Sequence, residues 1–236
     1  MRSPPDVGVV VVAAGRGVRA GGGVAKQFRE VGGVPVLLRA LRPFLAHPAV
    51  GRVVVVLAEE VVAAPPEWLA AVAADRLVLV AGGQERMDSV ERGLAALDDS
   101  AAVVLVHDGA RPFVAAETVD RVIAVARGGR GAVAAVPVAD TLKAGRADSG
   151  SGDVTIERTV PRDGLWRAQT PQGFPVAMLR ASLAAARAAG RVVTDDASAV
   201  EAAGGTVVLV PDLTSNLKVT APEDFLLAEA IARGVR

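Results

Sequence analysis

Valine-rich runs that alternate with longer Ala/Leu/Arg segments constrain this chain more than any other feature. The runs lie at Val7–Ala13, Arg52–Leu57, Leu77–Ala81, Ala102–Val106 and Ala132–Val138, and each is nearly continuously apolar. Strands buried on both faces read this way, because no side faces water. The intervening segments Val36–Ala46, Glu67–Ala74, Met87–Leu97 and Ala116–Arg127 read as helices. Pro66 suits the first turn of the second helix, whereas Pro43 should kink or break the first. Such alternation predicts an α/β, Rossmann-like, mostly parallel sheet with helices on both faces.

The pattern changes after Asp140. Residues 145–153 carry Gly, Ser, Arg and Asp with no apolar period, between two extended pieces, Asp140–Lys143 and Val154–Val160. These predict a β-arm at about residues 140–165, projecting from one domain that covers residues 1–236. Helical patterns resume at Pro175–Ala189 and Asp195–Ala203, and Thr206–Val210 reads as a last strand. Thr220 and Glu223 have the spacing of a capping box for a final helix.

Several classes are disfavoured. Apolar residues make up 51% of the chain, yet no run approaches the ~18–20 residues of a membrane span. The start, Met1 to Asp6, lacks a secretory h-region, so a cytoplasmic location is expected. Net charge is zero, which gives no nucleic-acid stripe. The absence of cysteine, with only His47 and His107 as histidines, argues against a zinc site.

The charged residues carry a sharper signal. There are 23 arginines but only three lysines: Lys26, Lys143 and Lys218. Lysine is a compact point charge suited to phosphate, whereas arginine is a planar fork. Lys26 ends a glycine-rich stretch that begins at Gly15 and includes Gly17 and Arg19. Glycines let backbone N–H groups approach a ligand closely. Alone they read equally as a long surface turn; the preceding strand and two cations shift the reading towards a polyphosphate cradle. It is not a Walker loop, because G-x-x-x-x-G-K-[ST] is absent. A nicotinamide loop is disfavoured because neither Glu30 nor Glu59 stands about 20 positions on at the end of strand two. The strand ending Val106-His107-Asp108 places Asp108 where open parallel sheets bind ligands. Asp108 is a candidate to hold Mg²⁺ or orient a hydroxyl, and an Asp108–Arg111 pair within one turn is the alternative.

The segments Lys26-Gln27-Phe28, Gly82 to Val90, His107 to Pro112, Asp140 to Lys143, Thr170-Pro171-Gln172, Thr194-Asp195 and Asn216 to Thr220 occur in one order. Together they resemble the 2-C-methyl-D-erythritol 4-phosphate cytidylyltransferase family of the non-mevalonate isoprenoid pathway. Ala25 and Ala20 depart from the usual Pro and Met, and neither change touches a charge. A cyclase of the kind that the bifunctional fusions append is not expected.

The resemblance implies transfer of a cytidylyl group from CTP to methylerythritol 4-phosphate, with Mg²⁺ bridging phosphates. It implies that Arg19 and Lys26 stabilise charge on CTP, while Arg162 and Lys218 position the incoming phosphate. Ala14, Gly15, Gly17, Gly83 and Ser89 would contact the nucleotide. Asp108, Arg111, Thr141, Thr170 and Thr194 would contact or adjoin the polyol. It also implies a homodimer through the β-arm, with each arm lending residues to the neighbouring site. The nearest rival is a ribitol-5-phosphate cytidylyltransferase, against which Lys143 leans. A non-catalytic nucleotide-binding module is the other, and the presence of Arg162 and Lys218 weighs against it.

Overall fold

The computed structural model describes residues 4–15, 25–72, 76–148 and 150–234. Each valine run forms a strand of one seven-stranded sheet. These are β1 (Val7–Val12), β4 (Val50–Leu57), β5 (Leu77–Ala81), β6 (Val103–Asp108) and β7 (Gly131–Pro137). Two short strands, β2 (Glu30–Val31) and β3 (Val34–Pro35), form a separate hairpin. The sheet is completed by β10 (Trp166–Pro175) and β11 (Val207–Pro211), in the order β11-β7-β10-β6-β1-β4-β5. All neighbouring pairs are parallel except those of β10, which runs antiparallel to β6 and β7.

Alternate residues of β1 explain why both faces are apolar. Val7, Val9 and Val11 pack with Leu37, Leu41 and Phe44 of α1 (Val36–Ala46) and Val119, Val122 and Ile123 of α5 (Ala116–Arg127). Val10 points the other way, against α4 (Arg86–Ala95), in a cluster that also holds Val90 and Leu94 of that helix, Leu179 and Leu183 of α6 (Val176–Ala188) and Val200 of α7 (Asp196–Ala202). The sheet is thus covered on both sides, and neither face of β1 could carry a charge without burying it.

Three expectations change. α1 runs unbroken through Pro43 to Ala46, because a proline in the last turn forfeits one hydrogen bond while the Leu37–Leu41–Phe44 face stays buried. The final helix, α8 (Pro222–Gly234), is capped one residue later than the spacing predicts: Asp224, not Glu223, accepts from the N–H groups of Thr220 (2.6 Å) and Ala221 (2.8 Å). The apolar pattern gives no sign of a strand at 166–175, of β2 and β3, or of the short helix α2 (Glu59–Ala63) that precedes α3 (Glu67–Val72).

The excursion after Asp140 is an antiparallel hairpin of β8 (Leu142–Ala147) and β9 (Val154–Val160), separate from the main sheet. Val154 and Ile156 are 70% and 67% exposed on it.

Candidate active site

A cavity of about 410 Å³ opens at the carboxyl ends of β1, β5 and β6. After β1 the chain builds β4 and β5 on one side and then crosses to place β6 on the other, so β1 and β6 flank a topological switch point. Val12 and Asp108 pair there in register, and both line the cavity. Ala14, Gly15 and Lys26 come from the loop after β1, and Gly83, Arg86 and Ser89 from the β5–α4 turn.

Two local devices shape this end. The buried Gln27 amide donates to the carbonyls of Ala13 (2.9 Å) and Gly15 (3.2 Å), tying the return of the glycine loop to its start. In the β5–α4 turn, a Cβ on Gly82 would meet that of Ala14 at 2.6 Å, and one on Gly83 would meet that of Asp88 at 2.1 Å. Only glycine lets this turn lie so close to the segment after β1 and to the start of α4. Ser89 Oγ accepts from Gly83 N–H at 3.2 Å, and Glu85 with Asp88 forms a reciprocal capping box at the start of α4.

A second cavity, of about 190 Å³, adjoins the first and shares Arg86, Asp108 and Lys218 with it. Arg111, Thr170, Gln172, Thr194 and Asp195 complete much of its wall. Asp108 is the electrostatic centre. Its carboxylate lies 3.0 Å from Lys218 Nζ and 3.4 Å from Arg111 Nε. Burial pushes its pKa up, but Lys218, Arg86 and Arg111 together outweigh burial and hold it at about 2. The Asp108–Arg111 pair read as an alternative therefore exists, within a larger cationic group that faces the cavities.

Behind Asp108 lies a buried polar web. Thr170 Oγ1 accepts from Asp108 N–H at 3.0 Å and donates to His107 Nδ1 at 3.0 Å. The other His107 nitrogen lies 3.1 Å from the Arg111 carbonyl, which can only accept. His107 is thus the neutral Nε2–H tautomer, in edge contact with the Phe44 ring, and burial takes its pKa down to about 4. It orders the strand end and does not face the cavity. Asn216, fully buried, donates to the Thr170 carbonyl (2.8 Å) and Asp212 (2.6 Å), and its own backbone carbonyl accepts from Arg111 (2.8 Å). Asn216 fixes the segment that presents Lys218.

The structure therefore gathers Ala14, Gly15, Lys26, Gly83, Ser89, Asp108, Arg111, Thr170, Thr194 and Lys218 around two joined cavities. Gly17 and Arg19 lie outside the described residues. Thr141 and Arg162 line neither cavity; both are exposed at the base of the hairpin, where the Arg162 guanidinium donates to the Ala139 carbonyl. Lys143 Nζ donates to Thr159 Oγ1 at 2.7 Å across the hairpin, away from both cavities. Sequence reading gives no role to Arg86, Gln172 or Asn216, although each stands inside a quoted motif. Their neighbours in sequence are polar too, so position within a motif is the only signal they offer.

The family model described as 2-C-methyl-D-erythritol 4-phosphate cytidylyltransferase matches residues 7–234. The protein of that description from Ralstonia nicotianae is 46% identical over 235 residues, covering 95% of this chain and 91% of that protein. One from Frankia casuarinae is 45% identical over 231 residues, covering 96% and 81%. The crystal structure of the Thermus thermophilus cytidylyltransferase matches with a TM-score of 0.76 at 38% identity, covering 95% of this chain and 98% of that one. No helix among the described residues is long and apolar enough to cross a membrane. With that sheet order, those joined cavities and matches spanning nearly its whole length, the chain belongs to the 2-C-methyl-D-erythritol 4-phosphate cytidylyltransferase family.

Proposed function

We propose that the larger cavity receives CTP and the smaller one methylerythritol 4-phosphate, and that the chain joins them. A phosphate oxygen of the polyol attacks the α-phosphorus of CTP. A new P–O bond forms, the bond to the β-phosphate breaks, and 4-diphosphocytidyl-methylerythritol and pyrophosphate result. The single observation that carries this reading is the meeting of the two cavities at Arg86, Asp108 and Lys218. Two anions can approach each other only where fixed cations neutralise them, so catalysis here is mainly positional and electrostatic.

Lys26, together with Arg19, stabilises charge that develops on the nucleotide phosphates. Lys218 receives the polyol phosphate, and Asp108 and Thr194 bind its hydroxyls, with Thr170 and Arg111 holding Asp108 in place. Backbone groups around Ala14, Gly15 and Gly83, with Ser89, select the base. Mg²⁺ suits this donor set through the phosphates. Among the described residues no three His, Cys, Asp or Glu cluster as a metal cage, and Asp108 is one carboxylate already paired with cations. Bound there, the ion would supply positive charge against the phosphate oxygens.

The chain acts in the cytoplasm as one catalytic domain and pairs with a second copy through the hairpin. The exposed Val154 and Ile156 support that pairing, since they lie two apart on β9, share one face of the arm, and would gain by being covered together. Arg162 and Thr141, which face neither cavity of their own chain, then serve the partner's polyol site.

Pyrophosphate release tests the reaction. It should be rapid with CTP and methylerythritol 4-phosphate, and slow when UTP or ribitol 5-phosphate replaces either. Equal rates with ribitol 5-phosphate would favour that rival. Mixing tests the dimer. Lys26→Ala and Arg162→Ala should each be nearly inactive. Co-refolded in equal amounts they should recover about a quarter of wild-type activity, because half the dimers are mixed and each of those carries one intact site. No recovery from confirmed mixed dimers would refute the shared site and leave the reaction standing.

A further inference from the structure

Arg86 is a cation at the junction of the two cavities with no part in the assignments above. It opens α4 in the first turn after the β5–α4 loop and lines both cavities. Its side chain is one-third exposed, and Nη2 lies 2.7 Å from a carboxylate oxygen of Asp196. Asp196 is in the first turn of α7, has a side chain 1% exposed, and lines neither cavity. The anion that holds Arg86 therefore lies behind it. The geometry differs from that of Lys218, whose partner Asp108 is itself on the cavity wall. The described hydrogen bonds of Arg86 occupy one of five N–H donors.

A planar, always-charged fork anchored from behind at one nitrogen presents its remaining donors as a fixed array, a shape that matches phosphate oxygens. At a wall shared by both cavities, the group within reach is the phosphorus that changes partners. We infer that Arg86 is a further catalytic residue of this site, which donates to the phosphate being transferred, and that buried Asp196 is its positioning residue. The inference rests on the cytidylyltransferase reading and specifies which chain group meets the transferred phosphate.

A purely structural role is the competing account, in which Arg86 exists to neutralise a buried Asp196. Paired variants separate the two. Arg86→Gln removes the donor array and leaves Asp196 buried without its cation. The double variant Arg86→Gln with Asp196→Asn removes both charges, so no uncompensated ion remains. Steady-state kinetics with CTP and methylerythritol 4-phosphate, and thermal unfolding, would be measured for each. We expect kcat in the double variant to stay about 10²-fold below wild type, the size of a lost transition-state donor. KM for both substrates should change less than about fivefold, and its melting temperature should be near wild type. Asp196→Asn alone should lower kcat by about tenfold, less than loss of Arg86, because the guanidinium remains but is less firmly aimed. Recovery of kcat to within threefold of wild type in the double variant would overturn the inference and leave Arg86 a structural counter-ion. If Arg86→Gln fails to fold, the double variant decides alone. An inactive wild type with these substrates would instead sink the cytidylyltransferase reading.

Discussion

The two cavities are built by opposite means. Around the larger one, apolar strands end abruptly and hand over to backbone: β1 stops at Val12, and β5 gives way to Gly82-Gly83, whose missing side chains set the fit. Around the smaller one, the protein buries polar side chains instead. Gln169, Thr170 and Gln172 of β10, His107, Asp196 and Asn216 are all nearly or wholly inaccessible. Each buried polar group costs free energy unless it is satisfied, and a satisfied one admits few alternative positions. The base and phosphates of a nucleotide can be read largely by backbone and charge. On the proposed assignment the smaller cavity takes a small polyol, which needs hydroxyl-sized precision of the kind such a web supplies.

The largest expected effect breaks the nucleotide side alone. Lys26→Ala should lower kcat by about 10²–10³ while changing KM for CTP far less, because in the proposed reaction the ammonium meets charge that grows in the transition state. Lys26→Arg should rescue poorly, since a fork does not replace a point charge. Thermal stability should hardly move, as Lys26 is only partly buried at the cavity rim. Turnover near wild type in Lys26→Ala would remove the lysine from the reaction.

A smaller effect probes the polyol side through acid. The His107 imidazole has a folded pKa of about 4 against an ordinary 6.5, with burial the largest cause. A group buried in its neutral form binds its proton more readily when unfolded. Its contribution is therefore whole above pH 6.5 and is lost as pH falls from there towards 4. The loss amounts to about 3 kcal/mol across that window. Asp108 loses its contribution lower still, between its ordinary value and about 2, because its cations favour the carboxylate. Urea unfolding at a series of pH values should show stability falling from pH 6.5 to 4. The ring-proton resonance of His107 in the folded protein should hold its neutral position down to pH 5. A His107 resonance that titrates near 6.5 would mean that the Thr170–His107–Arg111 chain is open to water.

The same contrast governs what can be read in the sequence. Val7–Val12 can be only a doubly buried strand, so the sheet and its helix layers are legible from periodicity. Beyond periodicity, the site residues come from motif order. β10 is illegible because Trp166-Arg167-Ala168-Gln169-Thr170-Pro171-Gln172-Gly173-Phe174-Pro175 is polar and carries two prolines. Pro171 fits an internal strand only because the register with β7 breaks between Ala168 and Gln172. Nothing local announces that break. Arg86 escapes sequence reading for a related reason: its partner Asp196 lies 110 residues away, and pairing across such a span has no periodic trace. The cap of α8 shows the finer limit. Glu223 and Asp224 are adjacent acids, and only the position of Pro222 at the start of the helix decides which reaches back.

The smallest expected effect belongs to neither cavity. Lys143 is one of three lysines that composition singles out, and its ammonium is spent on Thr159, directly across the hairpin. An exposed cross-strand pair of this kind contributes about 0.2–1 kcal/mol. Lys143→Ala should therefore leave kcat/KM within about twofold and stability within about 0.5 kcal/mol, the range of most surface changes. The measurement sharpens the comparison because the hairpin is proposed to reach a partner's polyol site with Arg162. A loss above tenfold, confined to the KM for methylerythritol 4-phosphate, would mean that the arm delivers Lys143 as well. The polyol cavity would then draw a second cation from the neighbouring chain, and its precision would come partly from the dimer and not from the buried web alone.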